Sequence, residues 1–176
     1  MNSEILYNYK RKNDECYTPA YGVTPIIKYI KPGSVVWCPF DTEESQYVKL
    51  IREAGFEVVY SHIDEGKDFF KYRPDYFDCI VSNPPFTDKR FIFKRALSFG
   101  KPFALLNNLN WLADKAPIQL FKDKSLELLI FDKRMEFFND KGFNHNIPFK
   151  AIYYCHDFLP EKIIFENLEI PKKERE

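Results

Sequence analysis

Short apolar runs alternate with amphipathic stretches along this chain of 176 residues, and the rhythm predicts strands separated by helices. Ser34-Val35-Val36-Trp37-Cys38-Pro39-Phe40 reads as a first strand, led in by the Lys31-Pro32-Gly33 turn. From Asp41 to Ala54 the side chains of Tyr47, Val48, Leu50, Ile51 and Ala54 share one helical stripe, with Asp41 or Thr42 as cap and Gly55 as stop. Phe56 to His62 reads as a second strand, a weaker third lies near Asp68-Phe69-Phe70, and Asp78 to Ser82 makes a fourth. A helix capped by Thr87 or Asp88 runs to Phe99 and closes at Gly100. Pro102 to Leu106 is a fifth strand, and a helix spans about Leu112 to Lys122. Leu126 to Phe131 and Phe149 to Cys155 are the last two strands; no clear helix separates them, so they are expected to form an antiparallel pair at one edge. Upstream, Thr24-Pro25 is a cap followed by proline at a first helical position, which predicts a short helix beginning there.

This order predicts an α/β domain: a mostly parallel sheet of about seven strands, a C-terminal antiparallel hairpin, and helices on both faces. Residues 1–170 fit a single domain and 171–176 a solvated tail. In such open sheets ligands settle at the carboxyl ends of the strands, so chemistry is expected there.

The strand end with the most chemistry is Asn83-Pro84-Pro85-Phe86. An exocyclic amine is a poor nucleophile because its lone pair is delocalised into the ring. An Asn side-chain oxygen and the carbonyl of the next residue can accept both of its N–H bonds and return density to nitrogen, while an aromatic ring holds the base by stacking. The prolines fix φ and remove two main-chain donors, which stiffens the turn. As a bare tripeptide, Asn-Pro-Pro is equally an ordinary turn that ends a strand.

Asn83 to Phe86 resembles the catalytic motif of amino-group methyltransferases, which move a methyl from S-adenosylmethionine to an exocyclic nitrogen. The order of the remaining motifs is similar to that of small DNA adenine-N6 methyltransferases found in phages and mobile elements, over roughly residues 14 to 158. The resemblance implies a Rossmann-like class I methyltransferase fold with S-adenosylmethionine as cofactor. It implies that Asn83 and the Pro84 carbonyl activate the amine, with Pro85 completing the turn and Phe86 stacking on the base. On the cofactor side it points to the Tyr17-Thr18-Pro19 turn, to Pro39-Phe40 with Asp41, to Asp68 and Phe69, and to Asn83 itself. Two departures fall on that side. Cys38 stands where the family usually carries an acidic residue, and the glycine-rich turn after the first strand is replaced by Asp41-Thr42-Glu43-Glu44-Ser45. Asp41 also reads as a helix cap with Glu44 three residues on, and His62, with Asp64 slightly late, occupies the end of the second strand where an acidic residue commonly holds ribose hydroxyls.

Charge limits the partners. With 26 basic and 26 acidic side chains there is no overall field to hold a polyanion, so nucleic-acid contact must come from local clusters. Lys89 and Arg90 follow the Asn-Pro-Pro turn directly, Arg134 follows a strand, and the loop 139–148 brings Asn146 as a further candidate for substrate contact. Such clusters are also ordinary solvated helix faces. The chain carries no stretch set aside for target recognition, so a loose specificity, a protein partner or a second subunit is expected. RNA or a protein amide as substrate, and a degenerate fold serving only as a binding module, remain open. Cys16, Cys38, Cys79 and Cys155 show no paired spacing, which points away from zinc and disulfides and toward a reducing cytoplasm. No leader or membrane segment is expected.

Overall fold

A computed structural model describes residues 17–139, 142–144 and 149–171. The elements are α1 (Ala20–Ile27), β1 (Val35–Cys38), α2 (Gln46–Glu53), β2 (Glu57–Tyr60), β3 (Cys79–Ser82), α3 (Lys89–Ser98) and β4 (Phe103–Asn108). They continue with α4 (Lys115–Leu120), β5 (Glu127–Phe131), β6 (Phe137–Asn139), β7 (Gly142–Asn144), β8 (Ala151–His156) and β9 (Ile163–Glu166). Seven strands form one sheet in the order β2-β1-β3-β4-β8-β5-β9, and β6 and β7 form a separate hairpin. Within the large sheet β8 alone runs antiparallel to both neighbours.

Alternation along each strand sorts side chains to two faces. Val36, Cys38, Val81, Ala104 and Leu106 meet α1 and α2 through Val23, Ile26, Val48 and Ile51. Trp37, Ile80, Phe103 and Leu105 meet α3 through Ile92, Phe93 and Ala96. The abundant rings are mostly spent here: Trp37 lies within 5.0 to 5.6 Å, centroid to centroid, of Phe69, Phe77 and Phe99. Three thiols, Cys38, Cys79 and Cys155, are buried in β1, β3 and β8.

Several sequence expectations move. Residues 68–70 are a turn: the Asp68 carboxylate accepts from Phe70 N (2.9 Å) and its carbonyl from Lys71 N and Tyr72 N. Phe69 is thereby turned into the core, and β2 ends the sheet on that side. The C-terminal strands do pair antiparallel, but β8 sits inside, between β4 and β5, and β9 extends the edge in parallel with β5. Helix α1 begins at Ala20 with Pro25 inside it, because the buried stripe starts as early as Gly22 and Val23. A Cβ on Gly22 would lie 2.5 Å from Met135 Sδ, so this position admits the helix only close against its neighbour. At α3, Asp88 holds the cap position at φ 57° without a side-chain capping bond.

Candidate active site

The ends of β1, β2 and β3 open on a cavity of about 390 Å³, within the size range of pockets that enclose a nucleoside-sized ligand. Its floor is the segment after β1, with Asp41, Thr42, Glu44 and Ser45 on the lining. Helix α2 starts at Gln46, later than expected, because residues 41–44 form a turn and Ser45 becomes the cap, its Oγ accepting from Tyr47 N at 3.2 Å. Ser45 in turn donates to the Asp41 carboxylate, and Ser82, the residue before Asn83, donates to the other oxygen of the same group. Asp41 therefore ties the end of β1 to the first turn of α2 and to the end of β3. Asp41 N donates to Ser61 O and Ser61 N to Cys38 O, which carries the β1–β2 alignment to the cavity wall.

Asp41 is 7% exposed. Burial pushes its carboxyl up from 3.8 to about 6, against the pull of the two serine hydroxyls. Below it, the buried Tyr47 and Tyr153 hydroxyls are 2.8 Å apart, and Tyr153 donates to Gly22 O at 2.9 Å. The acidic groups on the lining are Asp41, Glu44 and Asp64, with the His62 ring beside them; no Lys or Arg lines the cavity among the described residues. His62 Nδ1 lies 3.3 Å from the Asp64 carboxylate and accepts from Asp64 N. The aromatic part of the wall comes from Phe40, Tyr47, Tyr17 and Phe138; the last two exchange main-chain hydrogen bonds of 2.7 and 3.1 Å and set their rings 5.5 Å apart. An acid-lined, ring-lined cavity suits a ligand that carries positive charge on a flat heteroaromatic body.

Asn83, Pro84 and Pro85 form the remaining wall. Of the residues singled out from the sequence, Tyr17, Thr18, Phe40, Asp41, Asn83, Pro84 and Pro85 thus share one cavity. Pro39 is buried behind Phe40, and Pro19 is buried at the cap of α1. Phe86 is outside the lining and packs edge-on against Phe149 (5.2 Å) and Phe137 (6.2 Å). Asp68 is likewise outside, capping its own turn, and Phe69 stands behind Phe40 with centroids 4.8 Å apart. Lys89 opens α3, Arg90 is exposed beside it, and Arg134 is exposed between β5 and β6; none of the three lines the cavity. Asn146 lies outside the described residues. Reading from the sequence missed Ser45, Ser82 and Phe138. Ser45 was visible four residues after Asp41 and Ser82 immediately before Asn83, but nothing local shows that one carboxylate joins them.

The arrangement is that of the Rossmann-like class I methyltransferase fold. A class I S-adenosylmethionine-dependent methyltransferase assigned in Listeria monocytogenes matches over 88% of this chain and 66% of its own, at 11% identity and a TM-score of 0.50. This chain therefore spans just under two thirds of that protein's length. More distant matches include precorrin 8w decarboxylase from Methanobacterium thermoautotrophicum (11% identity, 75% of this chain and 86% of that one, TM-score 0.44) and TrmN from Thermus thermophilus (14%, 80% and 48%, 0.37). No protein-family model and no curated protein sequence matches the chain. Among the described residues no helix is long and apolar enough to cross a membrane.

Proposed function

We propose that this protein is an S-adenosylmethionine-dependent methyltransferase whose acceptor is the N6 amino group of adenine in DNA. The observation that carries the reading is the meeting of Asn83-Pro84-Pro85 and the buried Asp41 in one cavity at the strand ends. The lining fits the cofactor's chemistry: carboxylates, with no Lys or Arg among the described residues, face a ligand bearing a sulfonium and an ammonium. When bound, the cofactor supplies an already activated methyl group.

The chain's own part is alignment. Asp41 and Asp64 hold positive charge, Phe40 and Tyr17 give flat apolar contact, and Thr18 closes the wall from the segment before α1. Asn83 and the Pro84 carbonyl accept the two amine hydrogens, holding the nitrogen lone pair toward the methyl donor, and the two prolines keep that geometry stiff. The link from Ser82 through Asp41 to Ser45 fixes the acceptor turn relative to the cofactor floor without glycines. On this reading Asp68 and Phe69 support the site from behind Phe40, and Lys89, Arg90 and Arg134 are the cations that would contact phosphates flanking an extruded base. The bonds that hold Asp41 in place of a glycine turn also favour a second reading, a binding module with the enzyme's fold and no turnover.

Calorimetry with S-adenosylmethionine separates the two, and labelled methyl transfer to DNA, RNA and protein in parallel fixes the acceptor. The proposal expects measurable cofactor binding and label in adenine of DNA. An absence of binding up to millimolar cofactor removes the enzymatic reading; label appearing only in RNA or protein removes the DNA assignment.

A further inference from the structure

We propose that the free edge of β9 pairs with β9 of a second copy of this chain, joining two sheets into one across a twofold axis through Ile164. β9 is the last strand of the sheet and, among the described residues, pairs only with β5. Leu128 N donates to Lys162 O at 2.9 Å and Asp132 N to Glu166 O at 3.1 Å. The main-chain groups of the even-numbered residues therefore face β5, and strand alternation turns those of Ile163 and Phe165 outward. Their side chains are uncovered too: Phe165 is 76% exposed and Ile163 50%. Both lie on the sheet face opposite Ile164, which packs into the core shared with α1 and α2. Edges are kept from pairing by prolines, bulges, charges or shortness. β9 is short, but Ile163-Ile164-Phe165 carries no proline and no charge, and the charges at its two ends, Lys162 and Glu166, are opposite in sign.

The register follows from the same geometry. An antiparallel pair centred on Ile164 sets Ile163 against Phe165 of the second copy, so outward main-chain groups meet outward ones and the two exposed apolar side chains cover each other. Ile164 then faces its own counterpart in a non-hydrogen-bonded position. Lys162 faces Glu166 of the second copy, on the same side as Ile164. Glu166 already holds Lys28 and accepts from Tyr29 Oη (2.5 Å), which fixes its carboxylate beside the edge, and that group can accept from a further cation. Centring on Phe165 instead would set Lys162 against the buried Leu168 and lose the charge match. A shift by half a residue would oppose outward groups to inward ones. This edge lies across the sheet from β1 and β2, so the pairing leaves the cavity open and does not depend on the proposed chemistry.

Light scattering of the full chain over a dilution series tests the pairing. The expected result is twice the chain mass at high concentration, falling toward a single chain on dilution. Phe165→Lys, at an exposed position, is expected to give a single chain throughout, with an unchanged circular dichroism spectrum and a melt that matches the wild type's at concentrations where the wild type is also single. The register is read by Ile164→Cys combined with Cys16→Ser. Facing Cα atoms about 4.5 Å apart at a non-hydrogen-bonded position are within disulfide reach, so mild oxidation should yield a covalent dimer. Ile163→Cys and Phe165→Cys in the same background should not, because each faces the other position. A wild-type chain that stays single at its highest soluble concentration overturns the proposal, as does a dimer that survives Phe165→Lys or crosslinks better through position 163 than 164.

Discussion

Replacing Asp41 with Asn should make the protein more stable at neutral pH while weakening its hold on a cationic ligand. The carboxyl titrates at 3.8 when solvated and at about 6 in the fold, with burial as the main cause. Between those values the unfolded chain has released the proton and the folded chain keeps it. The unfolded state thus binds fewer protons, and this group's contribution makes stability fall as pH rises from about 4 to about 6, then level off. At about 1.4 kcal/mol per pH unit, the ionised group costs the empty protein about 3 kcal/mol at pH 7.5. The amide that replaces the carboxylate would keep one oxygen to accept from one of the two serine hydroxyls, turn its NH2 as a donor toward the other hydroxyl's oxygen, and carry no charge. Urea denaturation of both proteins at several pH values from 4 to 8 should therefore show Asp41→Asn near wild type at the acid end and more stable by up to about 3 kcal/mol at the neutral end. Calorimetry should show the opposite for S-adenosylmethionine: losing a charge-assisted contact worth about 1.5–3 kcal/mol raises Kd by roughly 10- to 150-fold. S-adenosylhomocysteine, without the sulfonium charge, should be affected less. A variant that is less stable than wild type at pH 7.5, or whose difference from wild type does not change with pH, would refute the reasoning and show that the hydroxyls outweigh the burial.

Asn83→Ala should lower turnover by about a hundredfold or more and leave S-adenosylmethionine affinity nearly unchanged; equal losses in kinetics and calorimetry would make Asn83 structural. Trp37→Ala, at the centre of a ring cluster and fully buried, should cost about 3–5 kcal/mol in urea denaturation. Glu127→Gln should cost about 2 kcal/mol at neutral pH, because the carboxylate accepts from Ser125 Oγ (2.7 Å), Phe158 N (2.9 Å) and Leu159 N (2.8 Å). Burial pushes this carboxyl up, but those bonds outweigh it and hold it below 4.5. The wild-type advantage should therefore be complete above about pH 5 and shrink as pH falls through the lowered value, which the same denaturation series measures.

The parts of the fold with a strong period were legible in the sequence. The stripe Tyr47, Val48, Ile51 and the runs Val35 to Cys38 and Cys79 to Ser82 repeat at helix and strand spacing, and they fold as that spacing requires. Where the pattern was short, tertiary contacts decided. Phe69 and Phe70 have strand composition, yet the bond from Phe70 N to the Asp68 side chain makes a turn, and Phe69 gains the ring cluster around Trp37. β9 has only four residues, and two of them stay exposed, so no alternation of buried and polar side chains marked it. The candidate site divides in the same way. Asn83 to Pro85 are contiguous and visible as a motif. Asp41, Ser45 and Ser82 become one unit only when β1, α2 and β3 are brought together, and the sequence alone leaves Asp41 both a cofactor contact and a helix cap.

Cys38, Cys79 and Cys155 make the sheet its own reporter. Each thiol is buried, and burial raises its pKa, to about 12 for Cys79. A thiolate-selective reagent meets almost no reactive sulfur until the strand that carries it opens. Labelling rates read by mass spectrometry would then time the opening of β1, β3 and β8 separately. Equal rates would mark a sheet that unfolds as one cooperative unit, and a faster Cys155 would mark the antiparallel strand as the seam along which it parts.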